Sequence, residues 1–172
     1  TSNRNKLAFY ATPGAIGQGD DARGIIRRIH HDCVMDRSRF YLRFQTIIHL
    51  QTGRVTGAEA LLRWHSEKQG EIPPGMFIGF LENDPAYEPL GYDIIRDAVR
   101  SAGQFRKTIP DFRINVNITA PQLLAEDFIP NVQKILEEDR FDPNGLILEL
   151  TERCKEMEFE LLNGRVQELK NA

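Results

Sequence analysis

The feature that most constrains this chain is a connection of four residues. Residues 39–50 and 55–64 are both rich in β-branched and aromatic side chains, and only Gln51-Thr52-Gly53-Arg54 separates them. Strands joined so closely run antiparallel, because a parallel crossover needs about a dozen residues. Beyond Val55 the order becomes strand, helices, strand, helices, strand, helix, with segments long enough for such crossovers. The expectation is an α/β fold whose mainly parallel sheet begins with one antiparallel strand.

The remaining elements follow from periodicity. Residues 22–35 space Ile25, Ile26, Ile29 and Cys33 as the stripe of a short helix. His30 and Cys33 share a face there, but two ligands with no second cluster make a poor metal site, and a partly buried helix turn is the plainer reading. Residues 65–71 are polar and end at Gly70, as a loop does. Pro73-Pro74 sets up a helix start with an apolar stripe at Phe77, Ile78, Phe80 and Leu81. A longer helix over about 90–107 carries Leu90, Ile94, Ile95, Ala98 and Ala102 on one face. Residues 112–118 alternate, with Ile114, Val116 and Ile118 on one side and Asn115 and Asn117 on the other. Thr119 caps a short helix to Ala125, and residues 128–138 form another. Residues 146–150 are nearly all apolar, which predicts a strand buried on both faces. A final helix is expected over about 155–170.

Composition excludes several classes of function. A net charge of −3 over 172 residues is too small for a nucleic-acid groove or an anionic membrane surface, so neither DNA nor RNA nor membrane contact is expected of this segment. An anionic ligand would need local help from an arginine or a bound cation. Cys33 and Cys154 form no disulfide framework and fit a reducing, cytoplasmic setting, with any membrane anchor elsewhere in a parent protein. No run approaches the roughly 20 apolar residues of a spanning helix, and the N-terminus does not read as a signal peptide. A chain starting at Thr1 reads as cut from something longer.

Charge inside apolar sequence is the next clue. Gly57-Ala-Glu-Ala-Leu-Leu-Arg-Trp64 holds Glu59 and Arg63 where strands rarely accept charges unless these are paired, bind metal or face a ligand. An ion pair on a solvated strand face is the simpler alternative. However, Glu59, Asn117 and Glu149 lie on three successive strands, each the odd polar residue in its segment. Two carboxylates and an amide oxygen make a hard, all-oxygen set suited to Mg²⁺, Mn²⁺ or Ca²⁺. Functional side chains of parallel α/β barrels gather at the C-terminal strand ends. Arg63, about 13 Å along the strand from Glu59, would suit another part of an extended anionic ligand, such as a phosphate.

Glu59-Ala60-Leu61 resembles the signature of the EAL domain, the phosphodiesterase of bacterial cyclic di-GMP signalling. The similarity continues through Gly70-Glu71-Ile72-Pro73-Pro74 with Phe77-Ile78, Val116-Asn117-Ile118-Thr119 with Pro121-Gln122-Leu123, and Leu148-Glu149-Leu150-Thr151-Glu152, over residues 39–172. The resemblance implies a modified TIM barrel, here partial, whose first strand is antiparallel. It implies Glu59, Asn117 and Glu149 as ligands of Mg²⁺ or Mn²⁺, with Glu59 also catalytic. It further implies Gln45, Leu61 and Arg63 as substrate contacts, and Glu152 as the glutamate steadying the active-site loop. The implied reaction opens cyclic di-GMP to linear pGpG with two metals. Residues 3–10 resemble the closing strand of a GGDEF domain, so that 1–10 would end such a domain and 11–38 would be linker and leading helix.

The chain departs from the family pattern in Thr46, where proline is usual, and in Thr119, where serine is common. It also lacks the Asp-Asp-Phe-Gly motif that family members carry beyond the last helix. The expectation is therefore that residues 1–172 alone are inactive or form a homodimer through an open sheet edge. The alternative to a phosphodiesterase module is a catalytically silent EAL module that senses cyclic di-GMP or docks a partner.

Overall fold

A computed structural model describes residues 22–82, 84–151 and 159–171. The strand and linker expected before residue 22, and Glu152, lie outside these. One mixed sheet runs in the order β1 (Phe40–Ile48), β2 (Val55–Ser66), β4 (Arg113–Ile118), β5 (Leu146–Leu150), with β3 (Gly70–Ile72) paired to the far end of β2. β1 and β2 are antiparallel; β2, β4 and β5 are parallel. The crossovers are α2 (Pro74–Leu81) with α3 (Tyr87–Arg106), then α4 (Ala120–Leu124) with α5 (Phe128–Glu138).

The expected hairpin is present, with a longer turn. His49 N–H donates to the Arg54 carbonyl at 2.9 Å, while the His49 carbonyl accepts from Gly53 at 2.8 Å. Gly53 takes φ +66°, a backbone state that glycine adopts without Cβ strain. Leu50, expected in the strand, is instead at the tip and 97% exposed.

Two other expectations are corrected. The stretch read as a polar loop after Trp64 is a second hairpin: β2 runs on to Ser66, and His65 and Ser66 pair with Glu71 and Gly70. Only one side of so short a hairpin is apolar, Trp64 facing Ile72, which hides the alternation that would reveal it. The second correction concerns β5. Among the described residues it is the last strand in the sheet and pairs on one side only, and its residues are half-buried, with Leu150 exposed. An apolar run signals burial on both faces only when neighbouring elements cover both.

One sheet face meets the helices. Ala58, Ala60, Trp64, Ile114, Val116 and Ile118 are buried there against α1 (Ala22–Met35), α2, α3 and α5. Trp64 stacks on Phe40 and meets Phe77 edge-on, at 6.2 and 5.6 Å between ring centres. Its indole N–H donates to buried Asp32 of α1 at 2.9 Å. Cys33, beside Asp32, sits in the core, and burial with the nearby Asp84 and Asp32 charges pushes its thiol up to about 12. His30 is instead hydrogen-bonded to Asp84 at 2.8 Å. His30 and Cys33 thus have separate surroundings, one exposed beside Asp84 and the other in the core. α3 starts a turn earlier than expected, and Pro89 is tolerated because first-turn N–H groups have no helical partner. α6 (Phe159–Asn171) packs on α4, with Arg165 donating to the Leu123 and Ala125 carbonyls at the end of that helix. No helix among the described residues is long and apolar enough to cross a membrane.

Candidate functional site

The other sheet face carries the polar side chains. Strand alternation puts Glu59, Leu61 and Arg63 of β2 on it, with Asn115 and Asn117 of β4 and Glu149 of β5. Gln45 of β1 stands directly opposite Glu59 and is exposed. Glu59 is level with Asn115, and Asn117 with Glu149, so four polar side chains occupy adjoining places on three strands.

Diagonal hydrogen bonds tie this patch together. Asn117 Nδ2 donates to Glu59 Oε1 at 2.8 Å, and Asn115 Nδ2 donates to Glu149 Oε1 at 2.5 Å. Each carboxylate thus has one oxygen engaged by an amide of the central strand. The spacing of β2 and β4 is set by Gly57, where a Cβ would lie 2.5 Å from the Arg113 carbonyl oxygen. At the other end of β4, Thr119 caps α4 in a reciprocal arrangement with Gln122, and the Ile118 carbonyl accepts from Thr151 N–H at 3.1 Å. Both fix the strand end from which Asn117 projects.

The two charges of the Glu59–Arg63 motif find separate partners. Arg63 donates to the Leu62 carbonyl at 2.9 Å and lies 3.9 Å from Glu71 of β3. Glu71 also accepts from Tyr41 and, at 2.5 Å, from Arg43. The Tyr41 hydroxyl, followed by the Arg43 and Arg63 charges, holds the Glu71 carboxyl below its ordinary range. Leu61, Arg63 and Asn117 line a cleft of about 300 Å³ closed by Pro74, Ile78 and Glu82. Gln45, Glu59 and Glu149 lie outside that cleft. Asn115 and Glu71 were not singled out from the sequence. The first was legible, as the partner of Asn117 in the same alternation; the second was hidden by the unrecognised hairpin.

The donor atoms are carboxylate and amide oxygens, the chemistry that Mg²⁺ and Mn²⁺ prefer. Among the described residues no three His, Cys, Asp or Glu side chains converge as a metal centre. The set offers two carboxylates plus amides, which fits a hard cation that keeps several waters or phosphate oxygens of its own.

Comparison with known proteins identifies the family and the fold. The family model for the EAL domain matches residues 27–172. The cyclic di-GMP phosphodiesterase PdeR of Escherichia coli (strain K12) is 36% identical over 115 residues, 64% of this chain and 17% of PdeR. The uncharacterized protein Rv1357c of Mycobacterium tuberculosis is 35% identical over 137 residues, 78% of this chain and 45% of that protein. The chain thus spans less than half the length of either relative. Among solved structures, the EAL enzyme Bd1971 in its cAMP- and cyclic-di-GMP-bound form superposes with a TM-score of 0.76 at 26% identity, covering 88% of this chain and 42% of that one.

Proposed function

The chain belongs to the EAL domain family, and from that premise we propose that it forms the first part of a cyclic di-GMP phosphodiesterase module. The observation that carries the proposal is the Asn117–Glu59 hydrogen bond beside Glu149, which gathers three oxygen-bearing side chains from three strands onto one open face. In this reading Glu59, Asn117 and Glu149 hold Mg²⁺ or Mn²⁺. With its Nδ2 turned to Glu59, Asn117 keeps Oδ1 for the cation. A cation held here supplies charge against a phosphodiester and acidifies water.

The protein's own residues bind and orient the dinucleotide. Arg63 meets a phosphate, leaving the weak contact with Glu71 at 3.9 Å for a charge-assisted bond to the ligand. Leu61 offers an apolar wall of the cleft, and Gln45 reaches the ligand from β1. Glu152 is assigned to steadying the active-site loop. Support for cyclic di-GMP comes from the relatives: PdeR is a cyclic di-GMP phosphodiesterase, and Bd1971 is an EAL enzyme with cyclic di-GMP bound.

We propose further that residues 1–172 bind the dinucleotide without opening it, because the sequence holds no Asp-Asp-Phe-Gly motif. Chromatography of products after incubation with cyclic di-GMP and Mn²⁺ tests this. Intact cyclic nucleotide is expected. Linear pGpG in amounts proportional to the chain would overturn the proposal of inactivity and support the enzyme reading directly.

A further inference from the structure

We infer that Asn115 is a positioning residue of this site, holding the Glu149 carboxylate through its side-chain amide. The inference rests on reading Glu59, Asn117 and Glu149 as a cation site. Asparagine is poorly suited to the middle of a strand, where β-branched residues pack better. Position 115 nonetheless carries one in the central strand, level with Glu59 on one side and Ile147 on the other.

What the amide does there is unequal. Its Nδ2 donates to Glu149 Oε1 at 2.5 Å, while its Oδ1 is buried and accepts no hydrogen bond from the described residues. An unpaired buried acceptor destabilises a fold, so an apolar residue would serve the sheet better. The gain is therefore in the site. Glu149 lies on the last strand of the sheet among the described residues, half-buried itself and next to exposed Leu150. A charge-assisted bond fixes one of its oxygens and aims the other. Asn117 treats Glu59 in the same way across the opposite strand pair. β4 thus steers both carboxylates, Asn117 toward β2 and Asn115 toward β5.

Calorimetric titration with Mn²⁺, beside thermal unfolding without metal, separates this role from a structural one. Asn115→Leu keeps the branched shape and removes both the donor and the unpaired oxygen. Its Mn²⁺ affinity should fall 10- to 100-fold, as for loss of a bond that orients a metal ligand, while its unfolding midpoint stays level or rises. Affinity within twofold of the unsubstituted chain overturns the inference. Should Asn115→Leu fail to fold, Asn115→Ser, too short to reach Glu149, is read by the same criteria. Glu149→Gln is the separate control. If it and the unsubstituted chain bind Mn²⁺ equally, the cation site itself fails, and the role of Asn115 fails with it.

Discussion

The indole N–H of Trp64 reaches the Asp32 carboxylate at 2.9 Å, inside the core between β2 and α1. This bond joins the first helix to the strand that carries Glu59 and Arg63. Trp64 is 0% exposed, so removal of its acceptor leaves a buried donor unpaired. Asp32→Ala should lower stability by about 1–3 kcal/mol in urea unfolding. Asp32→Asn, which retains an acceptor oxygen, should lose less. Equal losses would show that the carboxylate charge matters and the hydrogen bond does not.

Much of this architecture was legible in the sequence because it rests on local rules. The limits of α1, the antiparallel start at Gln51–Arg54 and the alternation around Ile114, Val116 and Ile118 depend on spacing and turn residues alone. The Glu59–Asn117–Glu149 set was legible as charge or amide placed within apolar strands. What remained hidden depends on neighbours. Residues 146–150 look doubly buried until the strand is seen at the edge of the sheet that the described residues form. Glu71 looks like a loop carboxylate until β3 folds it back among Tyr41, Arg43 and Arg63. Asn115 was placed on the right face, but only the structure shows its hand on Glu149.

Gly57 sets how closely β2 and β4 approach. A Cβ there would stand 2.5 Å from the Arg113 carbonyl oxygen, a backbone atom that cannot swing aside. Gly57→Ala should therefore cost about 1–3 kcal/mol in denaturant unfolding and part Glu59 from Asn117. Gly75→Ala, at a helical glycine with open space around it, should be neutral or stabilising. A tolerated Gly57→Ala would mean that the strands can separate at little cost.

Glu71 makes stability depend on acid. The Tyr41 hydroxyl and the Arg43 and Arg63 charges hold its folded pKa below the ordinary value of 4.5. A depressed carboxylate contributes stability that is complete above the unfolded pKa and lost as pH falls through the folded one. The loss should fall below about pH 4.5, and Tyr41→Phe should shift it upward. Carbon-13 titration of the Glu71 carboxyl measures the shift. A midpoint unchanged by Tyr41→Phe would assign the depression to the arginines.

We propose that the face around Glu59, Asn117, Glu149 and Arg63 receives cyclic di-GMP with a divalent cation. Calorimetric titration of the chain with cyclic di-GMP, with and without Mg²⁺, tests it most directly. Saturable binding is expected, tighter with Mg²⁺, and weaker by about tenfold or more in Arg63→Ala through loss of a charged hydrogen bond. No binding in either condition, or equal affinity in Arg63→Ala, would contradict it.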